Sequence, residues 1–235
     1  TGAGGASLAV SQFIKEYLKE QQIQGSFALG GITKYMVDML KEDYFRNIMD
    51  VQCFDLAAVE SLRNNPRHIE ISASQYASPR AKSCAAKNLD VVVLGATEID
   101  ENFNVNVHTD SSGIIKGGSG GHTDTANGAK LSVIVAPLFR ARLPIILDEV
   151  WCKSTNGSAI DMLVTQRGIA VNDKNPDLKK RLIAARLPVL SIHELKKLAE
   201  SYTGKPAPLV KPKEIIGLVE GLDGKIIDRL YKINF

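Results

Sequence analysis

Cysteine is scarce in this chain, and its three copies are scattered at Cys53, Cys84 and Cys152. An odd, widely separated set makes no disulfide framework and suits reduced thiols, so a cytoplasmic protein is expected. None of the three stands at metal-ligand spacing from any of the four histidines, and no metal is expected. Long apolar runs are missing too. No stretch approaches the ~18 residues needed to span a bilayer, and the N-terminus lacks the basic-then-apolar layout of a signal peptide. No membrane partner is expected. Nor is there an excess of charge. A net +3 without a basic stripe interleaved with aromatics argues against nucleic acid. The chain opens at Thr1 rather than Met, so it reads as the later part of a longer polypeptide. What remains is 44% hydrophobic and 23% charged over 235 residues, enough for one large α/β domain or two small ones.

Glycine, by contrast, is concentrated where it counts. Four of the five residues from Gly117 to Gly121 are glycine, interrupted only by Ser119. His122, Thr123 and Asp124 follow at once, then small residues suited to a short helix, then the apolar run Leu131 to Pro137. Such a run admits positive φ at little cost. Backbone N–H groups at a glycine turn and helix start point outward and attract anions. The stretch reads as a ligand loop; the plain alternative is a flexible linker.

Taken in order, the chain alternates helix and strand. The opening glycines lead into a helix capped by Ser7, with Val10, Phe13, Ile14, Tyr17 and Leu18 forming an apolar stripe. Gly25 to Leu29 reads as a buried strand ending at Gly30-Gly31, with Ile32 and Thr33 opening a helix. A strand, a glycine pair and a helix start make a ligand crevice in a parallel sheet. Strands are expected at Asn47 to Cys53 and His68 to Ser72, with a helix toward Leu62 between them. Pro79 fits the first turn of a helix to Ala86. Asp90 to Gly95 has the continuous apolar pattern of a central strand. Glu98 to His108 reads as a polar hairpin, and further strands are expected at 131–136, 144–147, 162–171 and 188–191. Helices should run from Asn175-Pro176 and from Ile192 to Tyr202. From Gly204 a basic, proline-rich connector leads to two strand-like runs around Leu222-Asp223-Gly224, a hairpin signal. The expected fold is α/β, a mostly parallel sheet with helices on both faces and a C-terminal hairpin.

Several of these segments together resemble a known family. Gly-Gly-Ser-Gly-Gly-His-Thr-Asp-Thr-Ala, the strand at 131–136 and Val164-Thr165-Gln166-Arg167-Gly168-Ile169-Ala170 are similar to the coenzyme A transferases, above all the citrate lyase α-subunit (citrate CoA-transferase) family. The opening Thr-Gly-Ala-Gly-Gly-Ala-Ser-Leu-Ala and the late Asp-Gly hairpin fit as well. The resemblance covers nearly the whole chain but only the later of that family's two tandem halves. It implies that residues 1–235 form one CoA-transferase-like domain, with 204–235 as connector and terminal hairpin. It also implies a thioester reacting in a cleft between halves. The cofactor would be CoA, or a CoA-like prosthetic group on an acyl carrier protein, whose acetyl is exchanged for citrate with release of acetate. Implied partners are the N-terminal half, the acyl carrier protein subunit and the citryl lyase β-subunit, in an oligomer.

Many relatives carry a nucleophilic glutamate after the second strand of this half, whereas the matching window here, Val51-Gln52-Cys53-Phe54-Asp55, has none. The resemblance then points to direct exchange, which needs positioning and oxyanion stabilisation more than a nucleophile. Asp55, Gly120, Gly121 and His122 are the catalytic candidates. Gly30, Gly31, Gly117, Gly118, Ser119 and Asp124 are candidates for holding the thioester arm. Thr33, Arg80 and Lys116 are candidates for citrate carboxylates. Each has an ordinary alternative: Asp55 and Asp124 as helix caps, His122 as a structural hydrogen bond, Arg80 and Lys116 as solvated surface, Cys53 as a small core residue. Competing readings are a thioester hydrolase or another carboxylate transferase, a non-catalytic assembly domain, and, more distantly, a nucleotide-binding Rossmann domain.

Overall fold

A computed structural model describes residues 5–78 and 80–233. The opening turn at residues 1–4 and the expected helix start at Pro79 lie outside them. The chain divides into two compact units, one up to Leu94 together with 128–130, the other Gly95–Asn127 and 131 onward.

The first unit runs α1 (Gly5–Glu20), β1 (Gly25–Ile32), α2 (Lys34–Lys41), β2 (Phe45–Cys53), α3 (Leu56–Asn64), β3 (His68–Glu70), α4 (Ala73–Ala77) and β4 (Val91–Leu94). Strands β1, β2 and β3 pair in parallel in that order. Their core is Ile32, Met36, Val37, Met39, Leu40, Ile48 and Ala58. Fully burying one such large aliphatic side chain contributes about 1.5–3 kcal/mol. The helical stripe of α1 divides: Ile14 and Leu18 pack on this core, while Phe13 and Tyr17 stay exposed. Helix α1 already includes Ser7, so Ser7 is not its cap. The helix expected from Pro79 to Ala86 is replaced by α4, opened by a Ser72–Gln75 capping box, and a 3-10 turn at Ala85–Asn88.

The second unit holds β5 (Glu98–Asp100), β6 (Val105–Asn106), α5 (His122–Gly128), β7 (Leu131–Val135), β8 (Phe139–Arg140), β9 (Leu143–Pro144), β10 (Ile146–Leu147), β11 (Met162–Thr165), β12 (Gly168–Val171), α6 (Pro176–Ala184), α7 (Ile192–Thr203), β13 (Ile215–Glu220) and β14 (Ile226–Tyr231). Strands β7 and β11 are parallel. The single strand expected at 162–171 is two antiparallel strands, because Gln166-Arg167 turns the chain and pairs Thr165 with Gly168. Residues 188–191 form only an isolated bridge, Val189 with Ile169. The late hairpin β13–β14 forms as expected, with Gly224 at φ +81 in its turn. The chain is thus an α/β protein with parallel sheets and a terminal antiparallel hairpin.

Candidate functional site

A cleft of about 560 Å³ opens in the second unit. One wall is the glycine loop, Gly117 to Gly120, with Thr123 and Asp124 of α5. His108 and Ser154 also line it, and Leu218, Val219, Leu222 and Leu230 of the terminal hairpin supply an apolar side. The volume suits a small-molecule ligand.

Asn106 sets the approach to this cleft. Its side chain is buried, and its amide donates to Glu98 Oε2 and Thr109 Oγ1, both at 2.9 Å. Its Oδ1 accepts the N–H groups of His108 (3.0 Å) and Thr109 (3.1 Å). The chain therefore turns tightly after β6 and holds His108 in place. The polar hairpin read from the sequence is real, but Glu98, Asp100 and Asn106 are buried within it. Downstream, Asp110 accepts N–H groups from Ser112 and Ile114 and pairs with Lys116 at 3.0 Å. Burial alone would raise the Asp110 carboxyl, but Ser112, Lys116 and the backbone donors win and hold it down at about 2. Gly113, at φ +86, must be glycine: a Cβ there would meet the Trp151 indole at 2.2 Å.

The loop itself is open. A Cβ at Gly117, Gly118 or Gly120 would have no heavy atom within 4 Å. Among the described residues, the N–H groups of Gly118, Ser119, Gly120 and Gly121 make no hydrogen bond within the chain. Gly120 sits at φ +52, a left-handed conformation that favours glycine. The carbonyl of Gly121 accepts both the N–H and the hydroxyl of Thr125, which starts α5.

The expected histidine, His122, and a second one, His108, sit differently. His122 is buried, with Nδ1 against Thr155 Oγ1 and Nε2 donating to the Gly95 carbonyl, both at 2.9 Å. Burial lowers its pKa. Both ring nitrogens are engaged, so His122 is a structural post behind the loop. His108 lines the cleft instead. Ser154 Oγ accepts the Val107 N–H (3.0 Å) and lies 2.9 Å from His108 Nδ1, with Cys152 Sγ 3.9 Å from the same nitrogen. This anchors the ring through Nδ1 and leaves Nε2 without a partner among the described residues. Burial lowers the His108 pKa as well, which favours the neutral ring. The sequence signal for His108 was its place two residues after a strand-ending Asn, just ahead of the glycine loop.

Asp124 is not a cap. It lies inside the first turn of α5, lines the cleft and has no ion pair or hydrogen bond to its carboxylate among the described residues. Burial raises its pKa. Lys116 is committed to Asp110 and does not line the cleft.

The remaining candidates lie in the first unit. Asp55 caps α3 by accepting Ala58 N–H at 2.8 Å, and its other oxygen accepts Lys34 N–H at 2.6 Å. Gly30 sits at φ +136, and a Cβ on Gly31 would strike the Phe54 ring at 1.8 Å. Thr33 is the N-cap of α2 but makes no side-chain cap bond. Arg80 lies in an exposed turn. The glycine pair and helix start expected to receive a ligand carboxylate are thus filled by the chain's own Asp55 and Phe54.

The family model described as citrate lyase, alpha subunit (CitF) matches residues 1–233. The citrate lyase alpha chain of Escherichia coli is 48% identical over 234 residues, covering 100% of this chain and 46% of the relative. That of Klebsiella pneumoniae is 46% identical over the same span and share. The chain therefore spans about half the length of the curated relatives it matches. Among solved structures, the alpha subunit of citrate lyase from Streptococcus mutans, in complex with citrate, superposes with a TM-score of 0.96 at 45% identity, over 100% of this chain and 46% of that one. A malonate decarboxylase alpha subunit from Acinetobacter baumannii shares the fold alone, with a TM-score of 0.58 at 13% identity over 87% of this chain and 54% of that one. On family match, identity and superposition alike, this chain belongs to the citrate lyase alpha subunit family.

Proposed function

We propose that this chain carries part of a citrate CoA-transferase site, exchanging acetyl for citrate on the CoA-like thioester of an acyl carrier protein. The N-terminal half of the subunit would complete the site, in an oligomer with the carrier and a citryl lyase β-subunit in the cytoplasm. The observation that carries this reading is the cleft, with its unpaired loop amides on one side and apolar hairpin on the other. An extended thioester arm, with alternating amide and methylene groups, fits such walls. The room where Cβ atoms would stand on Gly117, Gly118 and Gly120 lets a ligand reach backbone. When bound, the arm supplies a thioester carbonyl open to attack by a carboxylate.

Attack places negative charge on the former carbonyl oxygen. The N–H groups of Gly118 to Gly121 can stabilise that charge, as fixed donors need no reorganisation. His108, anchored at Nδ1 by Ser154, can turn Nε2 toward the same oxygen as a further donor. Asp55 is a poor nucleophile here because backbone N–H groups occupy both its oxygens. This favours direct exchange over a covalent intermediate, a mixed anhydride or thioester, on Asp55.

The test uses the complete protein with acetyl thioester and citrate, followed by borohydride treatment and peptide masses. Citryl thioester and acetate should appear with no modified peptide containing Asp55. His108→Gln should slow exchange about 10- to 100-fold, the loss of one hydrogen bond to a charged oxygen. A peptide in which Asp55 has been reduced would overturn the direct mechanism.

A further inference from the structure

Cys53, read from the sequence as a small core residue, sits in a cluster that the transfer reaction does not use. The pairing of β1 with β2 slips by one residue: Gly30 faces Asp50, but Gly31 faces Gln52 and Ile32 faces Cys53. Val51 is the extra residue of a β-bulge. Alternate residues of a strand point to opposite faces, so without the bulge Cys53 and Asp50 would point apart. With it, both share one face, and bulges commonly re-aim side chains in this way. Strand β3 adds to that face, since its register pairs Ile48 with His68 and Asp50 with Glu70.

Three unlike donors therefore converge. Cys53 Sγ lies 2.8 Å and His68 Nε2 3.1 Å from Asp50 Oδ2, and the three ligand atoms all lie within 4.8 Å of one another. The His68 and Asp50 side chains are 0% and 2% exposed, while Cys53 is half-buried and leaves a way in. Asp50 is oriented by the Gln52 N–H on Oδ1 at 2.6 Å. His68 is oriented by Ser61 of α3, whose Oγ is 3.0 Å from Nδ1. A hydrogen-bond partner on the far ring nitrogen is the usual support of a metal-bound histidine.

We infer that Asp50, Cys53 and His68 form a binding site for a zinc-type divalent cation within the first unit. One sulfur, one nitrogen and one oxygen donor suit Zn²⁺ rather than Mg²⁺ or Ca²⁺, which take oxygen ligands. Three protein donors leave a fourth position for water. On binding, the Cys53 S–H bond breaks, its proton leaves to solvent and the sulfur bonds the cation. The imidazole binds through Nε2, with Nδ1 left to Ser61 Oγ. The thiol proton is released on binding. Asp50, Asp55 and Glu70 add negative charge around the sulfur. The same carboxylates attract a dication.

The test is a titration of the chelator-treated complete protein with Co²⁺, a spectroscopic substitute for Zn²⁺. One ion should bind per chain with a near-ultraviolet thiolate-to-metal band, removed by added Zn²⁺. Release of the thiol proton should make affinity rise with pH. Cys53→Ser should lose the band. If that variant does not fold, the count of protons released by the unaltered protein, read with a pH indicator, decides instead. No band, a band that persists in folded Cys53→Ser, or binding independent of pH would each overturn the site.

Discussion

Two glycine-rich crevices look alike on paper and differ in the folded chain. In the first unit, Gly30-Gly31 ends a strand and α2 begins just after it. In the second, Gly117 to Gly121 leads into α5. The first is closed by its own chain: Asp55 takes the Lys34 N–H at the start of α2, and the Phe54 ring covers Gly31. In the second, the N–H groups of Gly118 to Gly121 make no hydrogen bond among the described residues, and there is open space at Gly117, Gly118 and Gly120. A glycine run marks where backbone can be approached. Whether a ligand or a neighbouring side chain makes the approach depends on what the following residues bring back.

The largest effect should come from the open crevice. Gly118 is outside the left-handed region and a Cβ there meets nothing, so Gly118→Ala should change stability by only ~1 kcal/mol or less. If ligand oxygen must reach the loop amides, the transfer rate should fall ~10²–10³-fold, about 2.7–4 kcal/mol. Melting and transfer are measured together on the complete protein; a normal rate in a folded variant would remove the loop from the chemistry. Gly120→Ala is a poorer probe, since φ +52 would cost the fold ~1–2 kcal/mol by itself.

The closed crevice should respond the other way. Asp55→Ala strips the carboxylate from two helix starts, each cap being worth about 0.5–2 kcal/mol. Denaturant unfolding should show a loss of about 1–4 kcal/mol, while transfer per folded molecule falls far less than in Gly118→Ala. A stable Asp55→Ala protein with abolished transfer would reverse the two assignments.

The smallest effect concerns Asp124. Its folded pKa is raised by burial, so its favourable contribution is full below the unfolded value of ~3.9 and is lost as pH rises through the folded pKa. Asp124→Asn should therefore melt at a higher temperature than the unaltered protein at neutral pH, and the gain should vanish below pH ~4. A gain that persists in acid would mean that the carboxylate is not paying a burial cost.

The periodic parts of the chain were legible because local pattern decides them. Helices α2, α3, α6 and α7, strand β2 and the Asp-Gly hairpin fall close to where spacing and caps put them. The glycine loop was legible as a loop for the same reason. Three things were not, and each depends on contacts far apart in sequence. The choice of His108 over His122 rests on which ring reaches Ser154 and which is trapped by Thr155 and Gly95. The filling of the Gly30-Gly31 crevice rests on residues 54 and 55, more than twenty positions downstream. The gathering of Asp50, Cys53 and His68 rests on one bulged residue, which spacing rules for metal ligands do not register.

The central claim is that acyl transfer chemistry belongs to the open loop and not to the filled crevice. The most direct measurement is a crystal structure of the complete protein with a non-reactive thioether analogue of the acetyl thioester. The account predicts the acyl oxygen at ~2.7–3.1 Å from N–H groups of Gly118 to Gly121, with His108 Nε2 turned to it and Asp55 still on Lys34 and Ala58. An acyl oxygen seated on Gly30-Gly31, with Asp55 displaced from the start of α2, would contradict it.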